Sequence, residues 1–332
     1  MSACVNEPCA NSSSTQPDSV LAVATRTRLV FSIGLVALST AGCSTLTGTD
    51  YAVVVNGQGY TSTEADALLD EYFTESEIFG TTSLDSGGFG DADQARLLLT
   101  AMVRSSSVRS ILDRSGDDVT DSDLDRYFST LPPENPINKL SEQMRELIGM
   151  TSVDVITSAL AQAELPDAEE LREMYLSAPT STGLLCLRHI LVETEQEAND
   201  IIGEFRNGAD FAELAAERSL EGSASITGGA LTGTESECLP TAQYISGFDA
   251  DFVAAAFSAP ATTWSQPVET QFGWHVILNR PWSEVGSDVI ASYASPDGPL
   301  FYVDAVLNSA DVTVNSRYGR WDPPSGRIVP LG

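Results

Sequence analysis

The chain has 332 residues, 42% of them apolar, which is enough for two domains with hydrophobic cores. Its formal net charge is −30, because 47 acidic side chains stand against 17 basic ones. Such a surface repels the phosphates of nucleic acids and of anionic lipids, so both are excluded as intrinsic partners.

The N-terminal stretch predicts a targeting segment that lies outside the fold. Arg26 and Arg28 precede an apolar run over 29–38, which is shorter than a bilayer-spanning helix, and small residues then lead to Cys43. This order resembles a bacterial signal peptide with a lipobox over residues 1–42, with Cys43 as the lipidated first residue of the mature chain. We therefore expect an extracytoplasmic lipoprotein on the outer face of the bacterial cell membrane. The alternative is cleavage without lipidation and a secreted product.

The remaining cysteines follow from that location. Cys4 and Cys9 would be removed with the signal, which leaves Cys186 and Cys238 in an oxidising compartment. A disulfide between these two is expected. Two buried free thiols are the alternative.

The segment 43–182 is predicted to be a mainly helical domain. It opens with "YAVVVNGQGYT", two strands around an Asn-Gly turn, and Thr61 with Glu64 then forms a capping box for a first helix. Thr120 and Asp123 begin another helix, and Pro166 opens a later one. The helical segments are "STEADALLDEYF", "ADQARLLLTAMVRSSSVRSIL", "DSDLDRYFST", the apolar stripe over 140–148, "SVDVITSALAQAEL" and "PDAEELREMYLS".

From about residue 184 the apolar pattern changes to a mixture of strands and helices. The strand-like "LLCLRHILV" is followed by two helices, a "TGGAL" turn into a strand, a short helix and the closing strand "FGWHVILN". This order predicts a small α+β domain over 183–283, with helices packed on a mostly antiparallel sheet. The segment 284–332 is predicted to hold helix and strand, to end in a hairpin of "VTV" and "RIV" around "DPPSG", and to pack on the N-terminal domain.

The chain has only two histidines, and both lie in apolar, strand-like runs. Because side chains alternate along a strand, His189 shares a face with Leu191, and His275 shares one with Ile277. If the two strands are neighbours, both imidazoles meet on one face, where a mutual hydrogen bond can fix their tautomers. The alternative is a pair of ordinary core histidines.

Two other chemistries fit the sequence less well. A zinc site would need Cys186 and Cys238 as further ligands, but no local pair of His or Cys residues has ligand spacing. A serine nucleophile would need a strained turn, and no G-x-S-x-G motif occurs. No metal or cofactor is expected.

The blocks "RHILV", "GADFAELAAERS", "TGGAL", "FDADFVAAAF" and "SQPVETQFGWHVI" stand in the order of a parvulin-type (PpiC) peptidyl-prolyl cis/trans isomerase domain, which residues 184–281 resemble. The flanking helical region and "VVVNGQGYTSTEAD" are similar to the SurA/PrsA family of extracytoplasmic foldases. The resemblance implies an α+β chain, in which a SurA-like helical chaperone domain accompanies an FKBP-like parvulin domain with a four-stranded, mostly antiparallel sheet.

By position, the resemblance assigns site roles to six side chains: the paired histidines His189 and His275, the hydroxyl partner Thr270, the family's cysteine-or-aspartate position at Glu221, and the proline-pocket aromatics Phe248 and Phe252. The family usually continues its glycine turn with Asp-Leu-Gly, whereas this chain has Ala230, Leu231 and Thr232.

The resemblance implies a peptidyl-prolyl isomerase and folding chaperone for secreted or envelope proteins, with unfolded or proline-containing polypeptides as partners. The departure after the glycine turn favours the alternative, a non-catalytic holdase lipoprotein with a degenerate parvulin domain. A structural envelope lipoprotein is the third class. The acidic "VETEQE" after His189 offers none of the cations that recognition of phosphoserine needs.

Overall fold

The computed structural model describes residues 50–84, 90–232 and 236–332. The predicted signal peptide over 1–42, the lipidation site Cys43, and Cys4 and Cys9 lie outside the described residues. Within those ranges, no helix combines the length and the apolar character that crossing a membrane requires.

Short strands and longer helices alternate through the described chain. The strands are β1 Tyr51–Val55, β2 Gln58–Thr61, β3 Leu184–Leu185, β4 Leu187–Val192, β5 Ala230–Leu231, β6 Leu239–Pro240, β7 Val268–Thr270, β8 Gly273–Asn279, β9 Val312–Val314, β10 Arg320–Asp322 and β11 Arg327–Val329. The α-helices are α1 Ser62–Thr74, α2 Ser76–Phe79, α3 Ala92–Ser115, α4 Asp121–Phe128, α5 Glu142–Gly149, α6 Val153–Ala159, α7 Ala168–Ser177, α8 Glu195–Arg206, α9 Phe211–Arg218, α10 Ala224–Thr227, α11 Thr241–Gly247, α12 Ala250–Ser258, α13 Trp282–Tyr293 and α14 Gly298–Ser309.

The first elements form where local sequence signals predict them. β1 and β2 make an antiparallel hairpin whose turn residues, Asn56 and Gly57, both have positive φ. Thr61 with Glu64 caps α1, and Thr120 with Asp123 caps α4, each as a reciprocal capping box. The helix predicted to open at Pro166 instead begins at Ala168. Its cap is Asp167, whose carboxylate accepts hydrogen bonds from the first-turn amides.

The N-terminal helices and the C-terminal segment share one hydrophobic core. Strand β9 pairs antiparallel with β1, which places residues from both ends of the described chain in one three-stranded sheet of order β2-β1-β9. The core includes side chains from β1, α3, α5, α7 and α14: Val53, Met102, Leu147, Tyr175 and Val303. The domain boundaries 43–182, 183–283 and 284–332 stay a prediction.

The predicted partner of the last strand was wrong. The strand "RIV", β11, pairs with β10, and the turn over 323–326 joins those two strands, whereas "VTV", β9, pairs with β1. The proline-rich turn marks where the chain reverses, but it does not specify which distant edge a flanking strand joins. Strand β1 offers such an edge, and Val53 pairs there with Val314.

A second sheet organises the segment from residue 184 to 281. Its four strands are antiparallel in the order β5-β4-β8-β7, in agreement with the predicted α+β fold. One face, with Ile190 and Val276, packs on α8 and α9. The opposite face, with Leu187 and Ile277, packs on α12. The predicted β-α-α-β-α-β order lacks α10, α11 and the short strands β6 and β7.

Cys186 and Cys238 form a disulfide, and both side chains are buried. Cys186 lies between β3 and β4, and Cys238 directly precedes β6, which pairs with β3. The bond therefore fixes the start of β6 and α11 to the base of the four-stranded sheet.

Candidate active site

The pairing of β4 with β8 brings the two histidines together. His189 lies opposite Ile277, and Leu191 lies opposite His275, so the two imidazoles are diagonal neighbours on one face. Their Nδ1 atoms are 3.3 Å apart, and the ring planes differ by 13°. Both side chains are buried.

Thr270 lies at the end of β7, in the tight turn that leads into β8. Its hydroxyl is 2.8 Å from Nε2 of His275 and accepts a hydrogen bond from the amide of Phe272 at 3.2 Å. Gly273 closes this turn at φ 132°, a conformation that L side chains rarely adopt. The turn thus places the hydroxyl against the imidazole.

The neighbours of the two rings select one arrangement of protons. If Thr270 donates to Nε2 of His275, that ring carries its proton on Nδ1 and donates it to Nδ1 of His189. Nε2–H of His189 then faces the carboxylate of Glu221, 3.8 Å away. The opposite arrangement would point an imidazole lone pair at that carboxylate, which is electrostatically unfavourable. The geometry therefore favours the first tautomer pair.

Burial keeps both imidazoles neutral near pH 7. Desolvation lowers the pKa of His189 to about 4. Desolvation also lowers the pKa of His275 to about 4, helped by neighbouring His189 and opposed by Asp249 and Glu221. The pair can therefore orient polar groups around it without adding a net charge.

Two aromatic side chains form the wall that faces the histidines. Phe252 lies on α12 and is buried, with its ring centroid 5.3 Å from that of His275 and 5.7 Å from that of His189, edge-to-face in both cases. Phe248 directly follows α11 as its C-cap residue and stacks on Phe252, with 5.4 Å between the ring centroids. Histidines and aromatics thus pack against one another and line the same hollow.

The hollow is an open cavity of about 290 Å³. Its lining combines the six side chains to which sequence assigns site roles with four further residues: His189, Glu221, Phe248, Phe252, Thr270 and His275, together with Leu191, Gly247, Asp249 and Phe272. Cys186 and Cys238 lie elsewhere, in the disulfide that the sequence predicts.

Sequence reasoning missed three side chains of this lining that carried recognisable signals. Leu191 is two residues beyond His189 on the same face of β4. Asp249 is the N-cap of α12, and in the sequence it lies between the two pocket aromatics. Phe272 is 67% exposed at the tip of the turn before β8, an unusual position for an aromatic side chain.

The departure from the family's glycine turn lies away from the cavity. Ala230 and Leu231 form β5, where they pair with Arg188 and Leu187 of β4, and neither lines the hollow. The amide of His189 still donates to the carbonyl of Gly229, at 2.8 Å. The departure from Asp-Leu-Gly after the glycine turn therefore leaves the walls of the cavity in place.

Metal ligands are not arranged for binding in the described ranges, since no three His, Cys, Asp or Glu side chains there could hold a metal ion. The two cysteines of the zinc alternative are bonded to each other. What the site offers chemically is an apolar hollow of side-chain size, bordered by two neutral imidazoles, a hydroxyl and carboxylates.

Comparison with known protein families gives a match over this segment. Residues 189–280 match the family model described as "Rotamase: PPIC-type PPIASE domain". The matched range begins at the first histidine and ends just beyond β8, so it contains every wall of the cavity.

Similarity to curated proteins extends beyond this domain. The chain is 26% identical over 262 residues to the foldase protein PrsA of Caldanaerobacter subterraneus subsp. tengcongensis. The aligned region spans 75% of this chain and 80% of that protein. The chain is 39% identical over 153 residues to the foldase protein PrsA of Clostridium kluyveri, 46% of this chain and 39% of that one. Among solved structures, PrsA from Bacillus subtilis gives 20% identity over 80% of this chain and 94% of that one, with a TM-score of 0.27.

Proposed function

We propose, from the premise that residues 189–280 are a PPIC-type peptidyl-prolyl isomerase domain, that this chain isomerises X-Pro bonds and assists protein folding. The observation that carries the proposal is the convergence of His189, His275 and Phe252 on one cavity of about 290 Å³. A cavity of this size, apolar on one side and polar on the other, suits a proline ring and its amide.

The reaction makes a modest demand on the protein. Rotation about an X-Pro bond faces a barrier of about 18–20 kcal/mol and takes tens of seconds unaided. A barrier lower by about 6 kcal/mol accelerates the rotation roughly 10⁴-fold. The step breaks no covalent bond and transfers no proton, so positioning and electrostatics are sufficient.

The aromatic wall supplies the first contribution. Phe248 and Phe252 would hold the proline ring and remove water from the amide. The planar amide is more dipolar than the twisted one, because resonance places partial charges on its oxygen and nitrogen. An apolar environment therefore disfavours the planar state more and lowers the barrier.

The polar wall supplies the second contribution. The hydrogen-bonded series from Thr270 through His275 to His189 holds both rings rigid and directs Nε2–H of His189 towards Glu221. A client carbonyl placed beside the Glu221 carboxylate would be repelled most in the planar state, when its oxygen is most negative. The twisted amide suffers less from this repulsion.

The rest of the chain is proposed to act on clients and to hold the protein in place. The named PrsA relatives are foldases, which supports a chaperone role for the helical part over 43–182 and clients that are unfolded or proline-containing secreted polypeptides. We propose further that residues 1–42 are removed and that Cys43 carries a lipid, anchoring the protein outside the cytoplasm. Intact-mass measurement of the mature protein tests this: a diacylglyceryl mass on Cys43 is expected, and an unmodified N-terminus would contradict it.

A protease-coupled assay on an Ala-Ala-Pro-Phe peptide tests the isomerase proposal. Wild-type protein is expected to accelerate isomerisation, and Phe248→Ala to lower kcat/KM at least tenfold, mainly through a higher KM. Phe257→Ala is the matched control, because Phe257 packs against the same core cluster as Phe248 but does not line the cavity. Equal losses in the two variants, or no acceleration by wild type, would contradict the proposal.

A further inference from the structure

The charged side chains that line the cavity are all carboxylates. Glu221 lies on the histidine side, 3.8 Å from His189, with its side chain 43% exposed. Asp249 lies on the aromatic side, as the N-cap of α12. The two carboxylates thus border the hollow from both walls, and both oppose the lowering of the pKa of His275 that desolvation causes.

No cation of this part of the chain offsets them. Residues 184–281 contain four arginines and no lysine, and these arginines have partners away from the cavity. The partners are Glu284 for Arg188, Glu204 for Arg218, Glu237 and Glu284 for Arg280, and the ring of Trp264 for Arg206. The field at the mouth of the cavity is therefore negative.

Exposed apolar side chains accompany this negative field. Phe272 lines the cavity and is 67% exposed, and Leu220, next to Glu221, is 54% exposed. The amide of Leu220 donates to the carbonyl of Leu191, which keeps this residue at the rim. Carboxylates beside an exposed aromatic ring suit a lysine or arginine, whose aliphatic stem packs on apolar surface and whose charge interacts with the ring face.

We propose that the site selects X-Pro segments that carry a lysine or arginine next to the proline, and that it disfavours acidic or phosphorylated neighbours. This inference rests on the proposed isomerase function and names its preferred substrate class. The neighbours of a bound proline lie about 3.8 Å along the chain on either side of it, measured between Cα atoms, which puts their side chains at the rim formed by Glu221, Asp249 and Phe272. Because both carboxylates have the same sign, their attractions add.

Exchange spectroscopy of peptides with the full mature chain tests the selection. Ala-Lys-Pro-Phe, Ala-Ala-Pro-Phe and Ala-Glu-Pro-Phe are compared, with a second series in which the same three residues follow the proline. In at least one series, kcat/KM is expected to be about tenfold higher for the lysine peptide than for the glutamate peptide at low salt. The ratio should fall towards one in about 0.5 M salt, because exposed charges are screened.

A matched pair of variants separates the cavity from the overall charge of the chain. Asp249→Asn keeps a good N-cap but removes one charge from the rim, so it should lower the lysine-to-glutamate ratio about threefold. Asp251→Asn removes the same charge from the same helix at an exposed position that does not line the cavity, and should leave the ratio unchanged.

The outcomes distinguish the two proposals. Turnover of all peptides with ratios near one in both series would overturn the selection and leave the isomerase function standing. An equal loss of the ratio in Asp249→Asn and Asp251→Asn would assign it to net charge and would also overturn the selection. No turnover of any peptide would overturn the isomerase function, and the selection with it.

Discussion

At the scale of single residues, the chemistry depends on the protonation and the tautomers of the two imidazoles. Each ring is buried, and each has a partner that fixes its orientation: Thr270 for His275, and His275 for His189. Because the chain contains only these two histidines, their ring signals can be observed without interference.

Nitrogen NMR of the imidazoles is expected to show two neutral rings with opposite tautomers, a proton on Nδ1 of His275 and on Nε2 of His189. Both pKa values should lie near 4, because burial penalises the charged form. A ring that titrates near its ordinary value, or the reversed tautomers, would contradict the proton arrangement deduced from the geometry.

The same pKa values give a pH dependence of folding. The folded-state pKa of about 4 lies below the ordinary value of 6.5, so the unfolded chain takes up protons first as the pH falls. The free energy of unfolding should therefore fall as the pH is lowered from 6.5 to 4. Above pH 6.5 the histidines should not make it depend on pH. Urea unfolding of wild type at pH 7.5, 6 and 5 measures the loss.

The carboxylate beside His189 gives a second prediction at this scale. Glu221→Gln should lower kcat about tenfold towards an uncharged peptide and lower KM with it, because the neutral amide no longer raises the free energy of the bound planar carbonyl. Glu217→Gln, an exposed change that does not line the cavity, serves as the control. A Glu221→Gln variant with the same kcat and KM as that control would remove Glu221 from the mechanism.

Sequence predicted the histidine pair but could not place the acidic residue by itself. Strand alternation puts His189 and His275 on one face of the sheet, and that periodicity is local. Glu221 instead follows α9 in a connection before α10, where no repeating pattern fixes the direction of a side chain. Only the packing of that connection against β4, through the amide of Leu220, brings the carboxylate to the cavity.

At the scale of elements, the aromatic wall depends on how α11 is supported. The disulfide fixes the chain just before β6 and α11, and Phe248 follows α11 directly. At the start of α11, the hydroxyl of Thr241 accepts a hydrogen bond from Asn308 of α14 at 3.0 Å. The wall is thus held at the end remote from the cavity.

Removal of the disulfide should therefore weaken the fold. The bond closes a loop with a sequence separation of 52, for which the chain-entropy argument gives roughly 4 kcal/mol. The variant with both Cys186→Ser and Cys238→Ser should lose stability of that order in urea unfolding. Wild type in excess reductant should behave likewise once the bond is reduced, and an unchanged midpoint in the variant would contradict the estimate.

Element prediction succeeded where signals are local and failed where they are not. A capping box is a pattern of only four residues, and the boxes that begin at Thr61 and Thr120 predict where two helices start. The structure contains both capping boxes. The partner of β9 is more than 250 residues away in the sequence, on β1, and no turn residue near it encodes that choice. The nearer strand β11 was therefore chosen wrongly.

At the scale of the whole molecule, the described residues from 50 onward form one compact unit. The four-stranded sheet β5-β4-β8-β7 has its own apolar layers on both faces, whereas the N-terminal strands and helices share their core with α13 and α14. The N-terminal part therefore needs the C-terminal segment to complete its core, whereas the apolar layers of the four-stranded sheet do not include α13 or α14.

Deletion of residues 284–332 should unfold the N-terminal part and spare the four-stranded sheet. Strand β1 would lose β9, and the core around α3 would lose α14. Hydrogen exchange should show lost protection over 50–182 with protection retained in β4 and β8. Deletion of residues 330–332 is the control, since that end is largely exposed. An N-terminal part that stays protected in the longer deletion would contradict the shared core.

The convergence of the histidine pair and the aromatic wall on a bound proline is tested most directly by one NMR experiment on the full mature chain. A peptide with isotopically labelled proline is observed under conditions in which its cis and trans forms exchange. We expect catalysed exchange together with nuclear Overhauser contacts from the proline ring to the rings of Phe252 and His275. Catalysed exchange with contacts to other residues, or no exchange at all, would contradict this expectation.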